Sequence, residues 1–137
     1  MEKYGAGSIV VSDYDPSWPA LFAQERARIA QALAPFALAI EHVGSTAVPG
    51  LPSKPIIDLL VGVPNLEQAR QRCMTPLEAL GYICMPEYAS WLPRELFFRK
   101  GPPGPWTHHM HVMELSHPRW EALVVFRDYL RAHPRSE

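Results

Sequence analysis

The sequence has almost no excess charge of either sign: 13 Lys and Arg against 14 Asp and Glu leave −1 over 137 residues. A general nucleic-acid or anionic-membrane binder needs a basic surplus, so the balance argues against both partners while leaving room for a local basic site. Cysteine is also scarce. Cys73 and Cys84 form no CxxC pair and sit among apolar neighbours, which reads as two buried free thiols. No apolar run approaches the roughly 20 residues that span a bilayer. The opening MEKYGAGS lacks the apolar centre of a secretory signal, so the cytoplasm is the expected compartment. No internal repeat is visible.

Proline, by contrast, is abundant, with 15 residues. They gather in 49–55 and 102–105 and before helices, as rigid loop punctuation. The length suits one domain, residues 1–137, and such a chain buries roughly two-thirds of its unfolded surface without disulfide help.

Hydrophobic spacing gives the elements. Ile9-Val10-Val11 is a short β-like run. Asp15 as cap and Pro16 at the first position predict a helix over about 16–34. Trp18, Phe22, Ile29 and Leu33 form its core stripe, with Glu25, Arg26 and Arg28 on the other face. Residues 36–43 read as a strand running into Gly44-Ser45, and 56–63 as a central strand covered on both faces. Asn65 caps a second helix that Pro76 should kink and Gly81 should end. Residues 82–85, 96–100 and 108–114 are further strands, and GPPGPWT between the last two is either a mobile flap or a rigid wall. Ser116-His-Pro118 opens a last helix that closes at Pro134. The order α-β-β-α-β-β-β-α is an α/β class, an α+β mixed sheet with helices packed against it.

Asp58 interrupts an apolar strand, where a charge is costly unless it is paired or binds a metal. It either caps a loop or pairs with a buried Arg, or it acts as a metal or general-base carboxylate at the strand's carboxyl side. Gly44, Ser45 and Thr46 follow a strand directly and can cradle a phosphate, although Gly-Ser at a strand end is more often a plain turn. Together with Asp58 on the next strand they offer what nucleotidyl transfer needs, amides for a triphosphate and a carboxylate for its divalent ion. His109 and His111 alternate on one strand face, with His108 opposite and Glu114 continuing the pair's face. Such a pair marks either a metal, phosphate or proton-transfer site or a satisfied polar core. Lys54, Arg99 and Lys100 flank this region as phosphate ligands or surface cations, and Arg94 is a weaker candidate. No HExxH helix is present and the cysteines lie too far from the histidines in sequence to count as ligands, which argues against a structural zinc site.

The strings EHVGSTAVPGLPSKPIIDLLVGV, Gly81-Tyr82, Phe98-Arg99, HHMHV and FRDYLRAHP resemble the GrpB family, and the likeness extends from Val11 to Pro134. That resemblance implies a minimal nucleotidyltransferase-like fold with a Gly-Ser and Asp pocket, and a relation to coenzyme A metabolism, because some members are fused to dephospho-coenzyme A kinase. Active members of the superfamily usually have a second acid two residues after the first Asp, and Leu60 stands there. The expected replacement is Asp58, His109 and His111 as catalytic and metal residues around one divalent ion (Mg, Mn or Zn). The phosphate or nucleotide would be held by Gly44, Ser45, Thr46, Lys54 and Arg99. Family members usually continue beyond FRDYLRAHP, so the stop at Glu137 implies an open or incomplete pocket, one completed in an oligomer, or a truncated chain. Three functions follow: nucleotidyl transfer from an NTP to a small acceptor, a non-catalytic module binding a nucleotide or phosphorylated small molecule, or a metal-dependent hydrolase.

Overall fold

A computed structural model of the chain describes residues 10–134. Its elements are α1 (Trp18–Leu33), β1 (Ala39–Val43), β2 (Ile57–Val63), α2 (Leu66–Arg72), α3 (Met74–Ala79), β3 (Ile83–Cys84), β4 (Leu96–Lys100), β5 (His108–Glu114) and α4 (Pro118–Ala132). The strands form one mixed sheet in the order β1-β2-β5-β4-β3. Among the described strands only the β2–β5 pairing is parallel. This is the expected mixed α+β architecture.

Side-chain alternation divides the sheet into two faces. One presents Ile40, Leu59, Val61, Phe98, Met110 and Val112 to the main core, which Trp18, Ile29 and Leu33 of α1 and Leu77 of α3 complete. The other presents Val43, Leu60 and Met113 to Trp120, Leu123 and Val124 of α4. Helices thus lie on both sides, which is why β2 reads as a nearly continuous apolar run.

Several local expectations are corrected. Helix α1 begins two residues late, because the Asp15 carboxylate accepts from both the amide and hydroxyl of Ser17 and holds 15–17 as a turn. Val10 and Val11 form no strand and are exposed; Ile9 lies outside the described residues. Asn65 does cap α2, accepting from the Gln68 amide at 2.8 Å. The break before α3 falls at Cys73, not at Pro76, since Pro76 sits in the first turn of α3 where its missing N–H costs nothing. Gly81 ends that segment at φ +100°. Among the described residues no helix is long and apolar enough to cross a membrane.

Glu25 is the largest surprise in the core. Its spacing from Phe22 and Ile29 places it on the buried stripe of α1, where it is 1% exposed. It accepts hydrogen bonds from Tyr82 Oη and Lys100 Nζ, both at 2.6 Å, and from Arg28 Nη1 at 2.9 Å. Burial alone would push its pKa up, but the bonds from Lys100 and Tyr82 outweigh it and hold the carboxyl below its ordinary value. The same contact draws Lys100 to the α1 side of the sheet, away from the candidate pocket.

Candidate functional site

Because β1 and β2 are antiparallel, with Val43 opposite Asp58, the end of β1 meets the start of β2. Asp58 therefore stands at the amino end of its strand, not at the carboxyl side. The chain leaves β1 through Gly44, at φ 78° and ψ −175°, a conformation essentially restricted to glycine. It then enters a 3₁₀ turn, Ser45–Ala47. A Cβ on Gly44 would also overlap Oδ2 of Asp58. Gly44 and Ser45 are exposed beside the carboxylate. Thr46 is different: its buried hydroxyl donates to the Ile56 carbonyl at 3.1 Å and lies 2.9 Å from His42 Nε2. It braces the loop and has no free hydroxyl to offer a ligand.

Strand pairing then sets out a row. Asp58 on β2 pairs with His109 on β5, and His109 pairs with Arg99 on β4. The next row holds Leu60, His111 and Phe97. Helix α4 covers the Leu60 side but leaves the Asp58 carboxyl 29% exposed. Burial raises the Asp58 pKa to about 6, partly offset by the charges of His111 and Lys54. Burial is also the main cause holding His109 down at about 4, assisted by the positive charge of Arg99. Its Nδ1 stands 3.6 Å from Asp58 Oδ1, longer than a formed hydrogen bond. Lys54, on the loop before β2, is near enough to act electrostatically on both.

His111 turns elsewhere. Its Nδ1 lies 2.7 Å from Oε1 of Glu95, whose other oxygen accepts from Arg119 of α4 at 3.1 Å. Glu95 is a site residue that sequence reasoning missed. Alternation run back from Arg99 and Phe97 would have placed it on this face, one residue before the strand was expected to begin. Glu114 lies on the opposite face, where its carboxylate accepts from the Leu66 amide and caps α2. Parity excludes it from the face of His109 and His111.

The expected metal centre of Asp58, His109 and His111 is not assembled. Among the described residues no group of three or more His, Cys, Asp or Glu side chains is disposed to hold an ion. His111 is committed to Glu95, and Leu60, where a second acid would stand, is fully buried under α4. Arg94 is exposed, at φ 65°, on the loop before β4. A separate concavity of about 400 Å³, lined by Val48, Leu51, Leu130 and His133 among others, lies between the proline-rich loop and the end of α4, away from this row.

Comparison with known proteins gives these dimensions a context. The family described as GrpB protein matches residues 8–137. A UPF0157 protein of Pseudomonas aeruginosa is 48% identical over 130 residues, covering 92% of this chain and 51% of that protein. A dephospho-CoA kinase of Mycolicibacterium paratuberculosis is 33% identical over 144 residues, covering 88% of this chain and 35% of the kinase. The chain spans about half the length of the first of these relatives and about a third of the second. Among solved structures, GrpB from Enterococcus faecalis superposes with a TM-score of 0.82 at 38% identity, over 91% of this chain and 74% of that one. Cid1, solved in complex with the UTP analogue UMPNPP, superposes with a TM-score of 0.54 at 13% identity, over 88% of this chain and 37% of that one. The likeness to Cid1 is one of fold.

Proposed function

The chain belongs to the GrpB family, and from that premise we propose that it binds the phosphates of a nucleotide or other phosphorylated small molecule at the Gly44 turn and the Asp58–His109–Arg99 row. The observation that supports this best is the glycine turn seated directly against Asp58. Exposed amides of a Gly-Ser turn suit phosphate oxygens. Lys54 and Arg99 supply positive charge close by, and a neutral His109 can donate one hydrogen bond. Cid1, which shares the fold, was solved with a UTP analogue, and the likeness to a dephospho-CoA kinase favours a coenzyme A precursor among the candidate ligands.

Binding without transfer is the reading we favour. Nucleotidyl transfer needs carboxylates that fix a divalent ion against the triphosphate, and this pocket offers one carboxylate with Leu60 in place of the second. A transfer reading from an NTP to a small acceptor keeps one observation in its favour, the apposition of Gly44 and Asp58. The experiment that separates the two is a thermal-shift screen of NTPs and coenzyme A precursors, each with and without Mg, Mn or Zn. Stabilisation by ligand alone is the expected outcome. Stabilisation only with a metal, together with turnover abolished in Asp58→Ala, would favour transfer. No shift with any ligand would sink the binding reading.

A further inference from the structure

We propose that Arg99 and His109 form an anion subsite of this pocket and that Tyr88 and Trp106 close over it as an aromatic gate, which a ligand phosphoryl oxygen displaces. The inference rests on the phosphate-binding reading above and adds to it which nitrogens take the oxygen and what guards them.

Arg99 is 8% exposed. Its Nη2 donates to Tyr88 Oη at 2.6 Å, and its Cζ stands 5.1 Å from the Tyr88 ring and 4.9 Å from the Trp106 ring. Tyr88 lies in a 3₁₀ turn before β4 and Trp106 in the hairpin loop after it, so two separate loops meet over one side chain. Beneath them, Arg99 Nε and His109 Nε2 are buried and have no hydrogen-bond partner among the described residues. These atoms belong to directly paired residues on neighbouring strands. Buried donors are almost always satisfied, so two adjacent unpaired nitrogens call for an explanation.

An acceptor oxygen between them supplies one. The guanidinium Nε–H can only donate, and a neutral imidazole donates from one nitrogen. The long separation of His109 Nδ1 from Asp58 leaves that proton available to Nε2. A phosphoryl oxygen accepts from both and bonds strongly to the charged guanidinium. To reach them it must move the aromatic cover and release Nη2 from Tyr88 Oη.

The test uses the full chain and inorganic pyrophosphate as the probe, with affinity measured by calorimetry and gate position by tryptophan emission. Tyr88→Phe keeps the ring and removes the latch, so it should bind pyrophosphate about tenfold more tightly, the equivalent of one hydrogen bond to a charged group. Arg99→Lys should bind at least tenfold more weakly, with an unchanged circular dichroism melt. Pyrophosphate should shift the emission of the wild type and not of Trp106→Phe. Binding by Tyr88→Phe alone would also support the gate. Wild-type binding with Tyr88→Phe equal or weaker and emission unmoved would overturn the gate and leave phosphate binding intact. Arg99→Lys binding as well as wild type would overturn the subsite. Failure of every protein to bind would overturn the underlying reading too.

Discussion

Gly44 and Asp58 share one small volume: the carboxylate oxygen Oδ2 lies where a side chain on residue 44 would begin. The turn that ends β1 and the acid that opens β2 are therefore mutually specified. Gly44→Ala meets both a backbone region nearly closed to L-residues and a collision with Asp58. A loss of about 3 kcal/mol in unfolding free energy is expected, read from urea denaturation. A loss below about 0.5 kcal/mol would mean that the turn relaxes and that the close approach is not required.

The elevated pKa of Asp58 sets a sign for its effect on stability. With a folded pKa of about 6 against an ordinary value of 3.8, the native state holds a proton that the unfolded chain has released. Its contribution to stability therefore falls as pH rises from about 4 to about 6, and the penalty is complete above that. Asp58→Asn should be more stable than wild type by on the order of 2 kcal/mol at pH 7.5. The difference should close near pH 4, and denaturant titrations across that range would measure it. Equal stability of the two proteins at all pH values would show that the carboxylate is not strained by burial.

Two histidines act over nearly the same pH range with the opposite sign. His42, stacked on Phe22 and in contact with Thr46, is held at about 4 by burial and by the charges of Arg131 and Arg127. His109 is held equally low. Both remain neutral in the folded protein while unfolded histidine takes up a proton, so stability should be lost as pH falls from about 6.5 to about 4. Replacing His42 with Gln should flatten that limb in a pH series of thermal melts, even though the midpoint at neutral pH drops. An unchanged acid limb would exclude His42 as its source.

Sequence patterning reached the elements more readily than the polar contacts. The apolar run 57–63 and the alternation 108–112 each have one dominant cause, burial of a strand face, and a single chain of residues displays it. Glu25 and Glu95 depend on partners 75 and 16 residues away, and neither partner is visible beside them in the sequence. Their burial was still foreshadowed by spacing, since Glu25 falls on the stripe of Trp18 and Ile29 and Glu95 on the alternation of Phe97 and Arg99. At both positions periodicity is a better guide to burial than charge. Leu60 shows the converse, because the missing second acid was plain in the sequence and the structure adds only that α4 buries the position.

Glu25 gives the strongest stability prediction. Glu25→Ala strands the Lys100 ammonium and the Tyr82 hydroxyl, both packed between α1 and the sheet. Breaking one side of a buried pair costs about 3 kcal/mol. Because the Glu25 pKa is lowered in the fold, its contribution is present above the unfolded value and lost as pH falls through the folded one. The Glu25→Ala deficit should therefore be full at pH 7 and shrink on acidification below about pH 4, as followed by urea melts. A deficit independent of pH would assign the loss to cavity formation and not to charge.

Glu95 joins the pocket face to α4, accepting from His111 on β5 and from Arg119 in the first turn of the helix. Its side chain is 1% exposed, so truncation leaves a buried imidazole nitrogen and a partly buried guanidinium unpaired. Glu95→Ala should cost about 2 kcal/mol. Glu95→Gln, which keeps the shape and loses the charge, should cost less. The two roles of Glu95 separate in hydrogen exchange. Loss of the Arg119 contact should raise exchange at amides 119–122 of α4, while the amides of β2 stay protected. If exchange rises equally across the sheet, Glu95 acts through the core and not as a tether between the helix and the His111 side of the pocket.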